Sequence, residues 1–184
     1  MARLTYPSTQ FPGGPRARLE LPEGWEPLAV PGALLAAIRP EPRDVFNPNI
    51  VVTSEPQAPG FEIMSVLDLL ERTAAERRQG EVGEPYEAII SGIDFVGRPL
   101  SWVDDEAGTV VQLHLFGLVP RSDAGDGDLV HVTGTVSAAN AEQDYRLVRD
   151  ILRTLRVAPW SGSLEAERDG HGVDGHGRDD RSTP

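Results

Sequence analysis

The sequence predicts an α+β domain in which two amphipathic helices pack on a mostly antiparallel sheet. Three observations carry that prediction. Two stretches repeat apolar residues at helical spacing: Val66, Leu67, Leu70 and Ala74 in the first, Tyr145, Val148, Leu152 and Leu155 in the second. Several strand-like runs follow one another with short polar, Gly- or Pro-containing breaks between them. The run Ile50 to Thr53 is a block of β-formers, opened by the Asn47-Pro48 turn signal and closed by Pro56 and Pro59. Such a run reads as a strand buried on both faces, and therefore central.

The elements follow in order. Residues 1–14, with two prolines and the pair Gly13-Gly14, are expected to form a loose arm before a domain spanning 15–158. Arg16 to Leu21 alternates, with Ala17, Leu19 and Leu21 on one side, as a first strand would. Pro22-Glu23-Gly24 turns the chain, and Trp25 is expected to plug the edge of the core. Ala33 to Ile38 is a second strand, expected to close a hairpin with the first. Ser65 and Asp68 form a capping-box pattern at the start of the first helix. Gly80, after Arg77 and Arg78, stands where a helix C-terminus favours glycine and cations. Four strands are expected next. They are Tyr86 to Ile93, Arg98 to Asp104 after a turn at Gly97, Thr109 to Val119, and Leu129 to Ser137. The second helix is expected to start at Asn140, with Gln143 at the capping-box position and arginines 146, 149, 153 and 156 off the apolar stripe.

Beyond residue 158 the composition changes. Residues 161–184 hold five glycines and nine charged side chains, with Leu164 and Val173 the only sizeable apolar groups. Such a segment cannot bury enough surface to offset its ordering entropy, so 159–184 is expected to be a disordered acidic, Gly-rich tail.

Composition narrows the classes of function. The chain has 184 residues, a formal net charge of −12 and no cysteine. All 17 of its basic residues are arginine, a usage that suits a GC-rich bacterial genome. The acidic balance argues against nucleic acid and anionic membrane surfaces as partners. The missing cysteines exclude disulfides and thiolate metal sites. No apolar run approaches the roughly 20 residues needed to cross a bilayer, so stable membrane insertion is not expected. The start shows no signal-like apolar stretch, and the expected location is cytoplasmic.

No catalytic constellation stands out. Asp123, Asp126 and Asp128 lack the spacing of a calcium loop and read as a solvated hairpin loop. Asp104-Asp105-Glu106 reads as solvated turn charges. Ser54, Ser65 and Ser101 have no nucleophile-elbow motif around them. No phosphate-binding glycine loop or dinucleotide fingerprint occurs, and no cofactor is expected. His114 and His131 lie on consecutive strands and could face each other if the hairpin is symmetric about its polar loop. With a nearby carboxylate they would make the start of a zinc site. His171 and His176, in the tail, attract metal weakly at most.

Taken together, several stretches resemble a known family. They are Pro48-Asn49-Ile50-Val51-Val52, the capped amphipathic helix after it, Gly97-Arg98-Pro99 leading into a strand, two further long strands, and a final helix ending Ile151-Leu152-Arg153-Thr154-Leu155. This set, over roughly residues 16–158, resembles the PsbP/Mog-type fold and, within it, the bacterial DcrB/LpqN-like proteins. The resemblance implies an α/β/α sandwich with a mostly antiparallel central sheet and two main helices. It implies a non-enzymatic binding role, with no catalytic residues to carry over. The chain lacks the signal and cysteine of the lipoprotein members, which favours the cytoplasmic adaptors and chaperones, including those of secreted effectors. The expected partner is thus a client protein. Trp102, beside Leu100 on one strand, is the expected protein-contact residue, because tryptophan is enriched at binding hot spots. The alternative is a metal-dependent small-molecule enzyme using His114 and His131.

Overall fold

The computed structural model describes residues 13–42, 45–121, 126–138 and 141–161. The elements in chain order are β1 (Arg16–Arg18), β2 (Glu26–Pro27), β3 (Ala33–Ile38), β4 (Asn49–Gln57), α1 (Ser65–Ala75), β5 (Glu81–Val82), β6 (Tyr86–Ile90), β7 (Ile93–Asp104), β8 (Gly108–Pro120), β9 (Gly127–Ser137), α2 (Ala141–Arg153) and β10 (Arg156–Ala158). Eight strands form one sheet in the order β2-β3-β4-β9-β8-β7-β5, with β6 also paired to β7, and every pairing is antiparallel. β1 and β10 form a separate two-stranded sheet.

Alternation along the strands assigns the two faces of the sheet. On one face Ile50, Val52, Leu113, Leu115, Val130 and Val132 pack with Val148, Ile151 and Leu152 of α2 and with Leu155 just past its end. On the other, Phe116 and Leu129 pack with Val66, Leu67 and Leu70 of α1. One helix therefore covers each face, which is the expected α/β/α sandwich, and the stripes read from the sequence are buried except for Tyr145, which is half-buried. Trp25 is buried in the α2-side core, as expected. A Cβ on Gly134 would lie 2.4 Å from Cγ1 of Val148, so glycine there lets α2 approach the sheet closely.

Several details differ from expectation. Arg16 to Leu21 does not pair with Ala33 to Ile38; β1 is shorter and pairs with β10, while β2 takes the place beside β3. β4 lies inside the sheet, between β3 and β9, but β9 takes the middle of the order, and β4 is fully buried on its α2 side only, through Ile50 and Val52; Val51 and Thr53 are half-buried. It also runs through Pro56, because β3 stops pairing at Thr53 and leaves an edge there, where proline is tolerated. The turn expected at Gly97 falls instead at Ser91 and Gly92, both with positive φ (53° and 75°). Gly97 sits inside β7, where a Cβ would come within 2.1 Å of the His114 carbonyl oxygen.

The capping box of α1 does not form: the Ser65 hydroxyl donates to the Glu62 carbonyl at 2.7 Å, and no side chain caps the helix. Past the helix end it is Gln79 that takes positive φ, and Gly80 is needed because a Cβ there would meet the Ala74 carbonyl. Asn140, residues 1–12, Asp123, and residues 162–184 with His171 and His176 lie outside the described residues. No helix among the described residues is long and apolar enough to cross a membrane.

Candidate binding cleft

The histidine pair expected from the sequence does come together. The register sets His131 opposite Phe116 and His114 opposite Thr133, so the two histidines are diagonal neighbours on the α1 face rather than directly opposed. His114 Nδ1 lies 2.9 Å from His131 Nε2, which also contacts Thr133 Oγ1 at 3.1 Å. The three rings of His114, His131 and Phe116 are near-parallel, with Phe116 and His131 centroids 4.3 Å apart. His114 is only 6% exposed and its Nε2 has no partner. A donating Nδ1–H on His114 leaves that Nε2 as a bare acceptor, cheaper to bury than an unpaired N–H. Burial, with the facing His131, pushes the His114 pKa down to about 3, and burial pushes that of His131 down to about 4. Two nitrogens in direct contact leave no place for an ion between them, since two zinc–imidazole bonds at a tetrahedral angle hold nitrogens about 3.3 Å apart. Among the described residues no group of three histidine, cysteine or carboxylate side chains converges. The arrangement is a buried, neutral, packed pair.

The acidic stretches are likewise occupied. Asp104 accepts from the backbone N–H groups of Glu106 and Ala107, which hold its carboxyl below the usual range, and Asp105 pairs with Arg78. Asp128, expected to be solvated, is 4% exposed and bound by the Arg121 guanidinium, because the last residues of the expected loop belong to β9. Leu100 is 2% exposed and belongs to the interior rather than the surface. Trp102 is half-buried under the Arg77 guanidinium, 5.2 Å from its ring, and its indole Nε1 has no partner.

An open cleft lies on the α2 side. A cleft of about 510 Å³ runs between β6 and α2. Leu113, Leu115, Leu152 and Leu155 floor it, and Tyr86 and Tyr145 stand at its walls. Tyr86 is anchored by its hydroxyl, which donates to the His114 carbonyl at 3.0 Å, and burial raises its pKa. Arg149, Arg153 and Arg156 line the rim, against one glutamate, Glu87. Arg153 pairs with Asp150, whereas Arg149 lies over the Tyr145 ring at 5.9 Å and Arg156 donates to backbone carbonyls. Among the described residues no carboxylate pairs with Arg149 or Arg156. In a chain of net charge −12 this cleft gathers cations over an apolar floor. It offers apolar burial and charge-assisted hydrogen bonds to one anionic, amphipathic occupant.

The sequence held part of this signal. Arg149 and Arg153 stand four residues apart and so share a side of α2, while Arg156 opens β10. The facing wall was not legible, because nothing local says that β6 stands opposite them.

Fold and cleft together define a PsbP-like sandwich with an open, cationic groove. LpqN of Mycobacterium tuberculosis, described as involved in cell envelope biogenesis, is similar in structure: the TM-score is 0.66 and the identity 14%, over 80% of this chain and 86% of that one. Cyanobacterial PsbP from Synechocystis sp. PCC 6803 is similar with a TM-score of 0.51 and 13% identity, over 78% of this chain and 92% of that one. The chain thus has the PsbP/LpqN-like fold; neither relative's description names a catalytic activity. No family model and no curated protein sequence matches it.

Proposed function

We propose that this protein is a non-enzymatic binding protein, an adaptor or chaperone that holds an acidic, amphipathic segment of a client protein in the cleft between β6 and α2. The carrying observation is the pairing of a leucine floor with three rim arginines in an otherwise acidic chain. The negative surface elsewhere disfavours nucleic acid and anionic membrane, and keeps a complex with an apolar client soluble. The proposal includes action in the cytoplasm, which fractionation of native cells checks. Leu100 and Trp102 lie outside the cleft lining and take no part in this reading.

The test uses fluorescence anisotropy with a short labelled peptide of alternating valine and glutamate, and its valine–lysine counterpart. The glutamate peptide is expected to bind with a salt-sensitive affinity and the lysine peptide not to bind. Charge reversal by Arg149→Glu is expected to weaken binding about ten- to hundredfold, the worth of one charged hydrogen bond. Equal binding of both peptides, or none of either, sinks the proposal.

A further inference from the structure

The cleft is lined by all five residues of β6, Tyr86 to Ile90. In a strand, neighbouring side chains point to opposite faces, so Tyr86, Ala88 and Ile90 share the α2 face while Glu87 and Ile89 point the other way. A groove bounded by side chains of one face alone would not reach Glu87 and Ile89. Their presence means the cleft extends around the outer edge of β6.

That edge is open. Among the described residues β6 pairs only with β7, through Tyr86↔Gly97, Glu87↔Val96, Ala88↔Phe95, Ile89↔Asp94 and Ile90↔Ile93. The connection is a two-residue turn, Ser91-Gly92, with positive φ at both residues. In such a hairpin the pair that closes the turn exchanges backbone hydrogen bonds, and every second pair after it does the same. Ile90, Ala88 and Tyr86 therefore spend their N–H and C=O groups on β7. Ile89 and Glu87 direct theirs outward, with no backbone partner among the described residues. Ile89 is also 76% exposed, on an edge that no element among the described residues pairs with and that holds no lysine or proline.

Resting on the cleft reading above, we propose that the client segment binds as an added β-strand, antiparallel or parallel to β6, on the N–H and C=O groups of Glu87 and Ile89. Alternation then divides its side chains between the two faces. Those on the α2 face enter the cleft, apolar ones over the leucine floor and acidic ones at the rim beside Arg149, Arg153 and Arg156. Those on the opposite face lie beside Ile89 and are apolar or β-branched. The partner is an extended protein segment that carries both acidic and apolar residues, not a helix.

The experiment measures binding of the labelled valine–glutamate peptide to the full chain and to three variants. Ile89→Pro removes an outward N–H without removing a β7 bond, whereas Ile89→Thr keeps that N–H. Ile89→Pro is expected to bind roughly tenfold more weakly than Ile89→Thr, the loss of about one backbone hydrogen bond. In the wild type, peptide binding is expected to slow hydrogen exchange at the Glu87 and Ile89 amides, which point away from β7. This second readout decides the matter if Ile89→Pro fails to fold. Strand addition is overturned, with the cleft reading intact, if Arg149→Glu loses the peptide while the Glu87 and Ile89 amides gain no protection. If all three variants bind as the wild type does, both readings fall.

Discussion

The buried histidine pair makes the stability of this protein depend on acid in a way that can be worked out from its geometry. With folded pKa values of about 3 and about 4, both His114 and His131 are neutral in the folded state at any pH above about 5. In the unfolded chain each titrates at the ordinary value, near 6.5. A base whose folded pKa is depressed binds protons more readily when unfolded. Stability is therefore fully present above the unfolded pKa and is lost as pH falls through it toward the folded one. Between about pH 7.5 and about pH 5 the loss is set almost entirely by the unfolded side of the linkage, about 2 kcal/mol per histidine and about 4 kcal/mol for the pair. The structural cause is specific: protonating His131 Nε2 removes the acceptor for His114 Nδ1–H, and a proton on His114 Nε2 has nothing to receive it. Many carboxylates also titrate as pH falls, so the assay compares variants. Urea unfolding of the wild type and of His114→Gln/His131→Gln at the two pH values isolates the histidine contribution as the difference in pH dependence. The reasoning is refuted if the two proteins lose stability in parallel, or if NMR shows either ring titrating near 6.5 in the folded protein.

Three further outcomes are expected. Val52→Asp should cost about 4 kcal/mol or more in a denaturant melt, because Val52 is 0% exposed between Leu35 of β3 and Val132 of β9. Thr109→Asp, at an exposed strand start, should cost less than about 1 kcal/mol, and Val51→Asp should fall between the two. Gly134→Ala should destabilise by about 1–3 kcal/mol through the clash with Val148, as read from thermal unfolding. Arg121→Ala should cost about 3 kcal/mol by stranding the buried Asp128 carboxylate, and adding Asp128→Asn should recover much of the loss in a double-mutant cycle.

The two helices were legible because their signal is local. A stripe such as Val66, Leu67, Leu70 and Ala74 states that one side is buried, whatever it is buried against, and the structure buries those four residues. Trp25 was legible for the same reason: a large aromatic after a turn has few stable places other than the core. The cap of α1 was misread because Ser65 has two oxygen-bonding options of similar worth, the helix N-terminus and the preceding turn, and the Glu62 carbonyl took it. Gly97 was taken for a turn because glycine serves both turns and close approaches; only the Tyr86 ring and the His114 carbonyl above it show which use applies.

By itself, then, the sequence determined the class of fold, the faces that α1 and α2 bury, and the gathering of arginines on one side of α2. Periodicity and composition act within a few residues, and those features depend on nothing further away. Strand order is different. That β1 pairs with β10 across most of the chain, that His131 meets His114 diagonally, and that β6 is left as an edge facing Arg149 and Arg153 all follow from long-range register. Register is chosen by the packing of the whole sheet between two helices, because a slip of one residue would turn every side chain of a strand to the opposite face. The cleft exists only where two distant elements, β6 and α2, stop short of covering each other, and so only the tertiary structure decided it.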